Sequence, residues 1–274
     1  MNLNLEKNGL QVQREYTLYT CGCRGSRPVS GKEFQEFGGQ TSCYIIKTEK
    51  HALVIDCGTG LYDARDILKD CDLIDVFLTH VHYDHILGLL DWSVFPKTAR
   101  LSFYAAFKNW FGSDTLNEFF RAPFWPVQPW LGPLCEVPQG GVPCELGNGM
   151  SVEIYPAPHP NGASLLHLRV GEKRICIMFD CEKPEAMPTD VVRDCDILIY
   201  DGMYENEDYP SHIGWGHSTW QEGCRLAQSA KPKMLVITHH DPYSTDDVLR
   251  ELEQKAKEIY PSTRFARAGD VVSL

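Results

Sequence analysis

No stretch of the chain approaches the roughly 20 consecutive apolar residues that a membrane-spanning helix needs. Charged residues also fall within the first twenty positions, where a secretory signal would be apolar. A cytoplasmic protein without a membrane partner is expected. Positive charge is the scarcer sign: 26 Lys and Arg stand against 37 Asp and Glu, the formal charge is −11, and no basic run interrupts that balance. A strong nucleic-acid surface is not expected, because phosphate-driven affinity needs clustered cations. Gly/Ser-rich and Pro-rich linkers are missing too, so residues 1–274 are expected to form one domain. CxxC pairs are absent. The eleven cysteines are scattered and read as free thiols of a reducing compartment, mostly small buried hydrophobes, although Cys21 and Cys23 form a CxC that could hold a metal. With 43% hydrophobic and 23% charged side chains, disorder is excluded.

What is present is a series of short apolar, β-branched runs, at 41–47, 52–58, 73–80, 100–105, 151–159, 164–170, 174–180, 196–201 and 233–240. Each predicts a strand. Two helices are signed as well. One spans Ser218 to Ala230, with Ser218 and Gln221 as a capping box and Trp220, Cys224 and Ala227 on one face. The other runs from about Asp246 to Ile259, where Asp246/Arg250, Glu251/Lys255 and Glu253/Lys257 pair at i,i+4 spacing. Strands interleaved with helices predict a layered α/β architecture. Over about 91–149 the pattern weakens into aromatics and prolines, among them Trp110, Phe111, Phe119, Phe120, Phe124, Trp125 and Trp130. This segment reads as an inserted cover, either a satellite cluster under a long loop or a lid lining a substrate pocket.

The chemistry concentrates after the run LIDVFL, in Thr79-His80-Val81-His82-Tyr83-Asp84-His85. In extended chain residues i and i+2 point the same way, so His80 and His82 can converge on one ion, while Asp84 and His85 meet a second as the chain turns into a helix. Further candidates stand at the ends of later strands: His159, Asp180 and His239. Crevices in α/β layers open at such ends. Two metals need a bridging carboxylate, and Asp180 is the natural choice. His80, His82 and His159 would then hold one divalent ion, and Asp84, His85 and His239 the other. His240 could exchange places with His239. Imidazole and carboxylate suit zinc, with manganese or iron as alternatives.

HxHxDH followed by His, Asp and His resembles the pattern of the metallo-β-lactamase-fold hydrolases. The phrases GGQTSCYII and LVIDCGTG at 38–60 resemble that fold's opening strands. The resemblance spans most of the chain and implies a four-layered αββα sandwich. It places Asp56 below the metals, as a partner that orients a ligand imidazole or as a plain turn residue before Gly58. Within the superfamily, Gly216-His217-Ser218-Thr219 followed by LVITHHDPYS resembles the GHST element of ribonuclease Z and its smaller phosphodiesterase relatives. That resemblance implies that His217 acts on the scissile phosphate and protonates the leaving alkoxide, that Asp201 orients His217, and that His239 is the final ligand.

The expected function is hydrolysis of a phosphodiester by metal-activated hydroxide, with Asp84 as proton acceptor as well as ligand. The acidic balance and the lack of a basic arm favour a small phosphodiester, such as a cyclic nucleotide, over RNA. The alternatives are a thioester or lactone hydrolase of the same fold, and a non-enzymatic metal-binding ligand sensor. A homodimer is compatible with the sequence. Arg24 and Arg27, in an early loop, either reach a phosphate or face solvent. His51, His167 and His212 are left as surface or core histidines. Glu205, Glu207, Asp208 and Trp215 receive no role, and Cys181, next to Asp180, is a thiol whose oxidation could affect activity.

Overall fold

A computed structural model of the chain describes residues 14–106, 118, 120–126, 134–183 and 189–274. Strands β1 (Thr17–Gly22), β2 (Cys43–Thr48), β3 (His51–Ile55), β4 (Leu73–Phe77), β5 (Arg100–Ala105) and β6 (Leu134–Glu136) build a first sheet. A second contains β7 (Cys144–Gly147), β8 (Met150–Ala157), β9 (Ala163–Val170), β10 (Lys173–Met178), β11 (Ile197–Asp201), β12 (Met234–Thr238) and β13 (Thr263–Phe265), and β14 (Val271–Ser273) returns to the first. The strand orders are β14-β1-β2-β3-β4-β5-β6 and β13-β12-β11-β10-β9-β8-β7. Both sheets are mixed. Pairing is antiparallel from β14 to β3 and parallel from β3 to β6, while in the second sheet β7 to β10 are antiparallel and β10 to β13 parallel.

The near-continuous apolar runs are explained by strands buried on both faces. Ile46, Leu53 and Ile55 of the first sheet meet Ile154, Leu166, Ile177 and Ile199 of the second in the central core. The alternate residues of the same strands point outward. Ile45, Val54 and Val76 pack under Leu61, Leu68 and Ile86, and Met178, Leu198 and Ile237 pack under Leu226, Ala227, Leu249 and Ala256. Each such side chain fully removed from water contributes roughly 1.5–3 kcal/mol. The arrangement is the expected αββα sandwich.

Helical elements among the described residues are α1 (Arg65–Leu68), α2 (Tyr83–Ile86), α3 (Thr189–Val192), α4 (Trp220–Ala230) and α5 (Asp246–Ile259), with 3₁₀ turns at Thr59–Ala64 and Leu87–Leu90. Two local expectations are corrected. The cap of α4 is Thr219, whose hydroxyl accepts from the Glu222 N–H (3.2 Å), because Ser218 turns inward to hydrogen-bond with the Tyr200 hydroxyl (2.8 Å). In α5, Glu251/Lys255 (2.8 Å) and Glu253/Lys257 (3.4 Å) pair as expected. The pair Asp246/Arg250 does not form: Asp246 accepts from the Glu36 and Phe37 N–H groups, and Arg250 turns to Asp247 and Glu36.

The expected aromatic cover lies partly outside the described residues, including Trp110, Phe111, Phe119 and Trp130. Of the rest, Phe120 is buried on the first sheet's outer face against Trp92, while Phe124 and Trp125 overlook a cleft at one end of the sandwich.

Candidate metal centre

Strands β8, β10, β11 and β12 run in one direction, so the residues that follow them emerge at one edge of the second sheet. They deliver His159, Asp180, Asp201 and His239. The loop after β4 and the short helix α2 bring His80, His82, Asp84 and His85 to the same place from the first sheet. Asp56, Asp180 and His239 each adopt left-handed backbone (φ 58°, 43° and 58°). Non-glycine residues there are uncommon and cost about 1–3 kcal/mol, strain that clusters at functional sites.

Three groups form around Asp180, of which one, with Asp201, His217 and His239, shares Asp180 with the other two and His239 with one of them. His80, His82, His159 and Asp180 present ligand atoms within 4.8 Å of one another, and so do Asp84, His85, Asp180 and His239. His80 Nε2 is 3.3 Å from Asp180 Oδ2, while His85 Nε2 and His239 Nε2 each lie 3.1 Å from Asp180 Oδ1. His159 Nε2 faces His82 Nδ1 at 3.1 Å, and His239 Nε2 lies 3.1 Å from Asp84 Oδ2. Despite these approaches, buried His80 Nε2, His85 Nε2 and Asp180 Oδ1 make no hydrogen bond of acceptable geometry among the described residues. Buried polar atoms left this way are costly, and a set of nitrogens and carboxylate oxygens converging on two points fits divalent cations.

The ionisation of the group suits ligation. Burial, reinforced by His80, lowers His82 to about 4, and burial lowers His159 to about 3, so both imidazoles are neutral at pH 7. Burial pushes Asp84 and Asp180 upward, but the surrounding histidines outweigh it and hold both well below the usual carboxylate range. Supporting contacts fix the rings. Asp56 accepts from the Thr79 N–H, the Thr79 hydroxyl and His85 Nδ1, each at 2.7 Å, which is an orienting role and more than a turn. His159 Nδ1 is bonded to the Gly216 carbonyl at 2.8 Å.

His217, of the third group, lies beside the other two, its ring stacked on His239 at 4.7 Å. Its Nδ1 is 3.0 Å from Asp201 Oδ2, and Asp201 itself accepts from the Cys181 and Met203 N–H groups. Burial opposes protonation of His217, but the charge and hydrogen bond of Asp201 raise it to about 9. His82, Asp84, Asp180 and His217 form the floor of a cleft of about 830 Å³.

Three contributors escaped the sequence reading. The Ser26 N–H donates to Asp84 Oδ2 (2.8 Å), and a Cβ on Gly25 would lie 2.4 Å from His239 Nδ1, so only glycine lets that loop pass. Glu182 accepts from the Gly216 N–H (2.8 Å) and the Tyr209 hydroxyl, steadying the turn that holds His159. These are backbone contacts across distant loops. The only hint in the sequence is Gly itself, in CRGSRP and GHST.

The remaining candidates take no part in these groups. His240 is not interchangeable with His239: it is buried, bonded to the Ala266 carbonyl (2.9 Å) and stacked on Phe265. Arg24 reaches neither phosphate nor solvent; fully buried, it donates to the Gly38, Asp241 and Ser244 carbonyls. Arg27 is exposed, over the Tyr243 ring. Cys23 bonds to the Phe37 and Ala266 carbonyls, and neither it nor Cys21 joins an ion-holding group among the described residues. Cys181 is buried, and burial and Asp201 push its thiol well above its ordinary value, which disfavours the thiolate. His51 pairs with Asp75 (2.8 Å), His167 with Glu153 (3.4 Å), and His212 stacks on Tyr204.

A family model described as "Beta-lactamase superfamily domain" matches residues 51–240, more than half of the chain and the span that holds both clusters. The chain belongs to the beta-lactamase superfamily. Within that superfamily it is similar to ribonuclease Z from Gemmatimonas aurantiaca, 25% identical with 85% of this chain and 90% of the relative covered. Among solved structures it is similar to the metallo-beta-lactamase fold protein YhfI from Bacillus subtilis, with TM-score 0.73 and 19% identity over 96% of this chain and 100% of that one. A diphosphatase from the PhnP family gives TM-score 0.67 and 20% identity over 95% of this chain and 97% of that one. Superfamily membership, the αββα fold and the buried His/Asp cluster make the protein a metal-dependent hydrolase of this fold. No helix among the described residues is long and apolar enough to cross a membrane.

Proposed function

We propose that the protein is a phosphodiesterase for small phosphodiesters, with two divalent cations, zinc the first choice, held in the two clusters that share Asp180. His80, His82 and His159 complete one site, and Asp84, His85 and His239 the other. When bound, such a pair supplies Lewis-acid neutralisation of phosphoryl charge and makes water nucleophilic near neutral pH. The chain's residues do the rest. Asp84, fixed by the Ser26 N–H, is a carboxylate at the cleft floor able to take a proton from the attacking water. His217, protonated up to about pH 9 and held by Asp201, delivers a proton to the departing alkoxide.

The His217–Asp201 pair, set beside the clusters with the His217 ring stacked on His239, is the observation that carries this reading. An alkoxide leaving from phosphorus needs a proton donor, and a cation on the cleft floor also favours an anionic substrate. The names of the relatives, a ribonuclease and a diphosphatase, support phosphoester chemistry as well. The test is hydrolysis of bis(p-nitrophenyl) phosphate by protein loaded separately with Zn²⁺ and Mn²⁺, with His82→Ala as the control that removes a ligand. His217→Ala is expected to keep its metal content and lose turnover by about 10²–10⁴-fold. Thioester or lactone turnover by loaded protein inert toward the diester would overturn the assignment.

A further inference from the structure

We infer that the substrate's second ester group is an uncharged alkyl or aryl group, seated on an apolar wall that rises directly from the candidate metal centre. The inference rests on the phosphodiesterase reading and narrows it to a substrate class. The wall consists of Val81, Ile86, Leu87 and Leu90 together with Phe124 and Trp125. Sequence position explains its continuity with the floor. Val81 alternates with His80 and His82, and Ile86 follows His85 in α2, so the segment that supplies four ligands also supplies the wall. Phe124 is 79% exposed, an aromatic ring held open to water above the cleft. Such a ring gains by being covered.

Charge gives the second argument. Among the described lining residues there is no Lys or Arg, and Glu118, the one carboxylate of the described lining away from the floor, is paired with Arg121 at 2.8 Å. A phosphodiester carries one negative charge, which the floor can neutralise. A second anionic group along the cleft would find no Lys or Arg among the described lining residues, Arg121 being held by Glu118, and would face a chain of net charge −11. A nucleotide strand or a polyphosphate is therefore a poor fit to this wall, and a hydrocarbon group a good one.

The experiment uses the metal-loaded full chain and p-nitrophenyl phosphodiesters that share one leaving group and differ in the other ester: methyl, hexyl, phenyl, and a hexyl-length chain ending in carboxylate. The kcat/KM is expected to rise at least about tenfold from methyl to hexyl, chiefly through KM, since each buried methylene is worth about a fourfold gain and covering about two of the added methylenes already supplies that rise. The carboxylate chain is expected to fall below hexyl by a similar factor. In Phe124→Ala and in Leu90→Ser the hexyl-to-methyl ratio should collapse toward one. Equal rates for methyl and hexyl, or preference for the carboxylate chain, overturn the inference while leaving the phosphodiesterase reading intact. Failure to cleave any member, with metal content verified, sinks that reading instead. Calorimetric binding of dihexyl against dimethyl phosphate then decides the wall on its own, equal affinity refuting it.

Discussion

Adding one methyl group at Gly25, and in a separate variant at Gly216, strikes the two clusters one at a time. A Cβ on Gly25 would lie 2.4 Å from His239 Nδ1 and 2.5 Å from Cε1; on Gly216 it would lie 2.1 Å from His159 Nδ1, at a position whose φ of +93° already disfavours alanine. Ordinary contact begins near 3.4 Å, so either ring must retreat by about 1 Å. Metal–ligand distances tolerate only about 0.2 Å. Gly25→Ala is therefore expected to weaken the site of Asp84, His85 and His239, and Gly216→Ala that of His80, His82 and His159. Each affinity should fall by about 10–100-fold, or roughly 1.4–2.8 kcal/mol. Competition against a chromophoric chelator reads the affinities, elemental analysis the stoichiometry, and the melting temperature of metal-free protein checks the fold. Adding His239→Ala should change little on the Gly25→Ala background, yet remove the second ion from Gly216→Ala, because residues at one site are not additive. Two ions bound at wild-type affinity in both variants would falsify the assignment of ligands to clusters.

Asp201→Asn withdraws the charge that lifts His217. Because the raised group is protonated below about pH 9 and loses its proton above, the alkaline limb of kcat against pH should move to lower pH; an unmoved limb would remove His217 as the acid. Glu182→Gln weakens the grip on the Gly216 N–H, and affinity at the His159 site should drop about tenfold with kcat at saturating metal largely kept; unchanged affinity would show that the turn holds itself. Arg24→Met leaves three buried carbonyls without their donor and Asp246 without its cation, and should cost about 3–5 kcal/mol in denaturant unfolding. Chelation should lower the melting temperature, since metal at ~1,000 times Kd contributes about 4 kcal/mol per site; a melting point indifferent to chelator would mean the clusters hold no ion.

Sequence patterning exposes nine strands, most of them because both faces are buried and their runs are almost wholly apolar, β8 because its buried residues alternate. β1 is missed: its Thr and Tyr residues dilute that signal. β6, β13 and β14, of three residues each, and the edge strand β7 are specified by their partners' register more than by their own composition. The clustered ligands of 80–85 are legible because four ionisable residues in six positions have no structural excuse. Ser26, Gly25 and Glu182 are not, since each acts through a main-chain group or a close approach that exists only when loops 34 to 214 residues apart meet. The misplaced cap at Ser218 has the same origin: a buried hydroxyl, Tyr200, competes for the side chain that the local pattern assigns to the helix.

Both clusters draw ligands from the two sheets, His80, His82, Asp84 and His85 from the first and His159, Asp180 and His239 from the second. Neither half of the chain can complete a site while the other is unfolded. A complete four-ligand site is thus available only where the two sheets are docked. An ion held there would tie the sandwich together at its open end and slow the sheets' parting. The metal-loaded protein should accordingly resist unfolding through the rate at which it opens, and apoprotein with the same hydrophobic core should lose that persistence.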